Sequence, residues 1–140
     1  MTLLALDFGE RRIGVAGADP LGLTARPLAV IERTSLAEDM ARIGEIARRR
    51  GAKRIVLGLP LNMDGTEGPQ AKRVKRFAGR LTRELGLEVE LWDERLTTVE
   101  AEHVLLAADK SRADRRRRDD VAAAVILEDY LAAKRRSADR

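Results

Sequence analysis

Residues 3–18 read Leu-Leu-Ala-Leu-Asp-Phe-Gly-Glu-Arg-Arg-Ile-Gly-Val-Ala-Gly-Ala, two short apolar runs separated by a charged turn that contains glycine. Runs of this length between turn residues predict strands over 3–7 and 13–18, joined tightly by FGERR and therefore antiparallel. A third strand is predicted over 28–32 (LAVIE), after the looser stretch PLGLTARP. Next, Ser35 and Glu38 form a capping box, and Leu36, Met40, Ile43 and Ala47 recur at helical spacing until Gly51. Arg48, Arg49 and Arg50 suit the negative end of that helix.

The rest of the chain alternates strand and helix. RIVLG at 54–58 reads as a strand buried on both faces, followed by the loop LPLNMDGTEGPQ. A helix from about 70 to 85 turns Ala71, Val74, Phe77, Ala78, Leu81 and Leu85 inward and stops at Gly86. Its outer face carries Lys72, Arg73, Lys75, Arg76, Arg80 and Arg83. EVELWD at 88–93 is the last strand, with Trp92 expected in the core. Thr97 and Glu100 make a second capping box, opening a helix to about 108, and VAAAVILEDYLAA is apolar nearly all round, as a buried helix is.

Strands reached through a helix are parallel crossovers, so the last two should join the first strand on the side away from the second. The expected fold is α/β: a five-stranded mixed sheet, three strands antiparallel and then two parallel, flanked by helices. With 140 residues the chain is one domain, 1–140. Within it 109–118 is expected to be a mobile basic segment and 135–140 a basic tail.

Composition narrows the chemistry. With no cysteine, disulfides, thiolate nucleophiles and Cys-based zinc sites are excluded together, in keeping with a reducing cytosol. The first residues read as a strand and not as a signal peptide, and no run of 18 apolar residues suggests a membrane span. The net charge of +4 is uneven: 110–118 and 134–140 together carry +8, which leaves the remainder near −4. Clustered Lys and Arg beside an acidic body suggest a polyanionic partner, because they gain affinity by releasing phosphate counterions. The ordinary alternative is a solvated charge run. With four aromatic residues in the whole chain, recognition of single strands by stacked rings is not expected.

Three carboxylates stand where chemistry could gather. Asp7 closes the first strand, Glu94 follows the last, and Asp119, beside Asp120, begins the final helix. Each alone has a plain structural explanation: a turn cap, a surface ion pair with Arg95, a favourable charge at a helix start. Together, at the edge where open α/β sheets bind ligands, they make an all-oxygen site suited to Mg²⁺ or Mn²⁺. His103 is the sole histidine, so neither a soft-metal site nor a Ser-His-Asp triad has support. Asp7-Phe8-Gly9 also spells the kinase metal triplet, but no Gly-rich loop or His-Arg-Asp accompanies it. The Asp-x-Gly phosphate loop of actin- and hexokinase-type ATPases is a closer rival, yet those enzymes enclose ATP between two such domains.

LALDFGERRIGVAGAD, IVLGLPLNMDGTEGPQA, LWDERLTT and DDVAAAVILEDYL, in that order over essentially the whole chain, resemble the bacterial YqgF/RuvX family, relatives of the RuvC Holliday junction resolvases. The resemblance implies an RNase H-like fold and a cytoplasmic nuclease that matures the 5′ end of the 16S rRNA precursor. Carried over by position, it makes Asp7, Glu94 and Asp119 both catalytic and metal-binding, with the register of the third acid open between Asp119 and Asp120. Ala122 stands three residues past Asp119, where RuvC-like enzymes have a further acid, so a four-acid site is not expected.

The expected reaction is phosphodiester hydrolysis with two divalent ions, bridged by Asp7 and flanked by Glu94 and Asp119, leaving 5′-phosphate and 3′-hydroxyl ends. Arg11, Arg12, Arg95 and Lys110 are candidates to steer backbone phosphate, Asn62 lies in a loop that could close over substrate, and Lys72 and Arg73 could hold flanking duplex. The expected partner is structured RNA or branched DNA, with no membrane and with a homodimer open. Two alternatives remain: a junction resolvase acting on branched DNA as a dimer, and a non-catalytic nucleic-acid-binding assembly factor.

Overall fold

A computed structural model describes residues 2–19, 24–94 and 115–138, with the backbone alone for 115–120 and 138. The strands are β1 (Leu3–Phe8), β2 (Arg12–Ala18), β3 (Ala25–Glu32), β4 (Arg54–Leu59) and β5 (Glu88–Asp93); the helices are α1 (Leu36–Arg50), α2 (Pro69–Leu85) and α3 (Arg115–Ala138). The sheet order is β3-β2-β1-β4-β5. β1 pairs antiparallel with β2 and parallel with β4; β2 pairs antiparallel with β3, and β4 parallel with β5. This is the expected mixed sheet, and the alternation of side chains along its strands gives it two buried faces.

On one face, Leu4, Leu6, Ile13, Val15, Ile55 and Leu57 pack under α1 and α2. On the other, Leu3, Ala5, Ala16 and Val56 meet Ala123, Ile126, Leu127 and Tyr130 of α3. Trp92 joins that second core, edge-on to Tyr130 with ring centroids 5.5 Å apart. The caps form as read: Ser35 Oγ accepts from the Glu38 amide at 3.2 Å, and Gly51 and Gly86 end their helices with φ of 67°.

Two boundaries differ from expectation by more than one residue. β3 starts at Ala25, not at 28, because it is an edge strand and Pro27 can pair there without a missing N–H breaking a ladder. The final helix already covers Arg115–Arg118, so Asp119 lies within it and does not begin it. Arg115–Arg118 are helical because arginine is a good helix former and no glycine or proline interrupts the run. The expected helix over 97–108 lies outside the described residues.

Candidate active site

All parallel strands end at one edge of the sheet, and that edge gathers the acids. Asp7 is the fifth residue of β1, on the α3 face by alternation with Leu3 and Ala5. In register, Leu6 lies beside Leu57, and Gly58 lies beside Trp92. Glu94 follows β5 directly, two residues past Trp92, which puts it on the same face.

The two carboxyls meet. Glu94 is hydrogen-bonded to Asp7, and its pKa is pushed up from 4.5 to about 7. Burial is the largest cause, followed by the negative charge of Asp7, their hydrogen bond, and the charge of Asp93. Two carboxyls can hydrogen-bond each other only by sharing a proton, so without a cation this pair favours a singly charged state below about pH 7 and loses that proton above it.

Gly58 makes the meeting possible. A Cβ there would overlap Glu94 Oε1 and approach Ile126 Cδ1 of α3 to 2.6 Å. The sequence carried a signal for this, since a lone glycine inside an apolar strand often marks a close approach; our sequence reading missed it. Helix α3 crosses this face antiparallel to β1 and β4: Arg54 at the start of β4 donates to the Tyr130 hydroxyl at 3.2 Å, while Ile126 sits at Gly58 nearer the strand's end. The opposite flank of the helix faces β3, where Glu128 accepts from the Ala25 amide at 3.1 Å. Asp119 is seven residues before Ile126, two turns and about 10 Å along the axis on nearly the same line. Asp120 is one step, about 100°, further round toward the flank that carries Glu128.

Among the described residues, no three acid, histidine or cysteine side chains form a complete metal cage. The side chains of Asp119 and Asp120, and the whole of Arg95 and Lys110, lie outside the described residues. Of the other candidates, Arg11 is exposed in the β1–β2 turn at the acid edge. Arg12 is held in a 3.1 Å pair with Glu32. Asn62 closes a tight turn, receiving the Gly65 amide at 2.8 Å and donating to Thr66 Oγ1 at 2.9 Å. Lys72 and Arg73 are exposed on α2, which starts at the same edge: Gln70 donates to the Phe8 carbonyl at 2.9 Å and accepts from Arg73. Arg33, which our sequence reading passed over, joins them there, donating to the carbonyls of Gly9 and Glu10 at 2.9 and 3.0 Å.

A five-stranded sheet in this order, with helices on both faces and an acid pair at the ends of β1 and β5, defines the RNase H-like nuclease fold. The chain belongs to the RuvX family: the family model described as a Holliday junction resolvase matches residues 1–133. A protein of Symbiobacterium thermophilum named "Putative pre-16S rRNA nuclease" is 56% identical over 96% of this chain and 94% of its own. A protein of Myxococcus xanthus with the same name is 51% identical over 96% of this chain and 90% of its own. Among solved structures, Thermus thermophilus RuvC in complex with a Holliday junction superposes with a TM-score of 0.67 at 15% identity, covering 96% of both chains. A fowlpox virus resolvase bound to junction DNA gives 0.56 at 13% identity over 96% of this chain and 99% of its own. The protein is a nuclease, a phosphodiester hydrolase of this family.

Proposed function

We propose that this nuclease depends on a divalent cation, Mg²⁺ or Mn²⁺, and acts in the cytoplasm on the 5′ end of precursor 16S rRNA. The observation that carries the metal is the Asp7–Glu94 contact: two half-buried carboxyls brought together at a net energetic cost. Such a pair calls for a compensating positive charge, and its hard oxygen donors fit these two ions. The names of the relatives support the RNA, and a chain without cysteine suits the location.

In this reading Asp7, Glu94 and Asp119 hold the ions. Asp119 is preferred over Asp120 because its line of α3 leads to Gly58 and Glu94, whereas position 120 lies about 100° further round the helix. A cation held there would supply positive charge to a scissile phosphate and lower the pKa of water. The chain's own residues do the rest. Asp7 and Glu94 would bind the cation as carboxylates, the Glu94 proton passing to solvent. Arg11, Arg12, Lys72 and Arg73 hold the substrate backbone, with Arg95 and Lys110 as further phosphate contacts. Asn62 shapes the loop after β4 through its turn hydrogen bonds and contacts substrate where that loop closes over it.

The test is cleavage of a transcript spanning the 5′ boundary of 16S rRNA, with Mg²⁺ or Mn²⁺ and with chelator. Metal-dependent cutting at that boundary, lost in Asp7→Asn, is expected; cutting in chelator sinks the metal assignment. A second reading, resolution of branched DNA by a homodimer, is favoured by the family description and the likeness to resolvases. Four-way junctions offered in parallel separate the two. Failure to cut either substrate leaves the non-catalytic binding role.

A further inference from the structure

A second cleft opens at the same edge, on the face of the sheet opposite the acid pair. It has a volume of about 200 Å³ and lies between the start of α1 and the first half of α2. Its floor is apolar: Phe8 stacks on Phe77 with centroids 4.1 Å apart, and Leu36, the first residue of α1, stays 38% exposed. Its walls are four arginines, Arg33, Arg73, Arg76 and Arg80.

The arginines are held to different degrees. Arg33 is fixed: besides its two carbonyl partners it lies 4.3 Å from the centre of the Phe8 ring and 3.9 Å from the buried carboxylate of Asp39. Arg80 is paired with Glu84 at 2.9 Å, whereas Arg76 makes no hydrogen bond or ion pair among the described residues. Among the described residues no carboxylate lines the opening, Asp39 and Glu84 lying behind Arg33 and Arg80, so four guanidinium groups surround a small apolar floor. A space of this size accepts one nucleobase with its sugar and excludes a duplex. Guanidinium planes both stack on bases and pair with phosphates, so the two halves of the cleft match the two halves of a nucleotide.

Phe8 follows Asp7 directly, and alternation sends the two side chains to opposite faces of β1. A strand lying across the sheet edge at the acid pair therefore reaches this cleft after a short turn. We propose that the cleft is a subsite for an unpaired nucleotide flanking the scissile phosphate, so that the enzyme favours substrates with a single-stranded extension beside a duplex. The inference rests on the nuclease reading only for the word scissile; the binding claim stands separately.

Fluorescence anisotropy in chelator measures it, using labelled RNA and DNA duplexes of equal paired length, blunt or with a single-stranded overhang. Arg76→Glu with Arg80→Glu should weaken overhang binding at least tenfold and leave blunt binding within twofold. The milder pair Arg76→Ala with Arg80→Ala should lower the salt slope for the overhang by about 0.7 per lost contact. Arg48→Glu with Arg49→Glu, the same charge change at the far end of α1, should alter neither, and unchanged Tm values guard against misfolding. Equal losses for blunt and overhang substrates, no loss for either, or no overhang binding by the wild-type chain would each overturn the subsite. Overhang binding that needs Arg76 and Arg80 in a protein that cuts nothing with Mg²⁺ or Mn²⁺ would keep the subsite and remove the nuclease mechanism.

Discussion

Glu94 reaches Asp7 across β4 through the space left by the missing Cβ of Gly58. The three residues lie on three neighbouring strands or their ends, so the acid pair is a property of the sheet's register and not of any local motif. One side of that space is closed by Ile126 of α3, which ties the site to helix packing.

Gly58→Ala should therefore damage the site and the fold together. The new methyl meets Glu94 and, at 2.6 Å, Ile126. Overpacking of this kind costs roughly 1–3 kcal/mol, several degrees of Tm in a domain of this size. Pairing it with Ile126→Val should recover part of the stability but not the cleavage, because Glu94 is still displaced. Thermal melts and a cleavage assay check both; recovery of activity with stability would show that only the helix contact matters.

The pH dependence of the metal-free protein follows from Glu94. Its carboxyl pKa is raised to about 7 in the folded chain, so the folded state holds a proton that the unfolded state has released. Stability from this group is fully present below pH ~4.5 and is lost as pH rises through about 7. The loss is at most on the order of 3 kcal/mol, from a shift of about 2.5 units. Melts in chelator between pH 5 and 8 should fall across that window, and Glu94→Gln should flatten the trend. A flat wild-type profile would mean the carboxyls do not share a proton.

Divalent cations should reverse the effect. Above pH 7 the pair is ionised and binds the ion without displacing a proton, so Mn²⁺ or Mg²⁺ should raise Tm more at pH 8 than at pH 6. Asp7→Asn removes the neighbouring charge that raises the Glu94 pKa. It should be no less stable than wild type in chelator at pH 8, yet gain little from added cation and cut at least a thousandfold more slowly. A wild-type cation response in that variant would exclude Asp7 as a ligand.

The register of α3 separates the two aspartates at its start. Asp119→Asn should cost more than a hundredfold in cleavage rate and weaken the cation-induced Tm rise, while Asp120→Asn should stay within about tenfold of wild type. Calorimetric titration with Mn²⁺ offers a readout independent of turnover. The reverse ranking would mean that α3 is rotated by one residue from the line through Ile126.

Much of this protein is written along the chain. The apolar runs at 3–7 and 13–18, the capping box at Ser35 and Glu38, and the glycines at 51 and 86 act through local sterics and hydrogen bonds, so five strands and their order were legible without coordinates. Asp7 and Glu94 could be nominated because strand ends are local features too. Boundaries that depend on neighbours were not legible: β3 extends past Pro27 because its N–H side faces no strand, and α3 covers Arg115–Arg118, ahead of the apolar run that suggested it. Only the tertiary structure decided that the two carboxyls share a proton, that Gly58 leaves them room, and that Arg33 joins three arginines of α2 around one cleft. Proximity between residues tens of positions apart depends on sheet register and helix packing, and those forces act after the local pattern has been read.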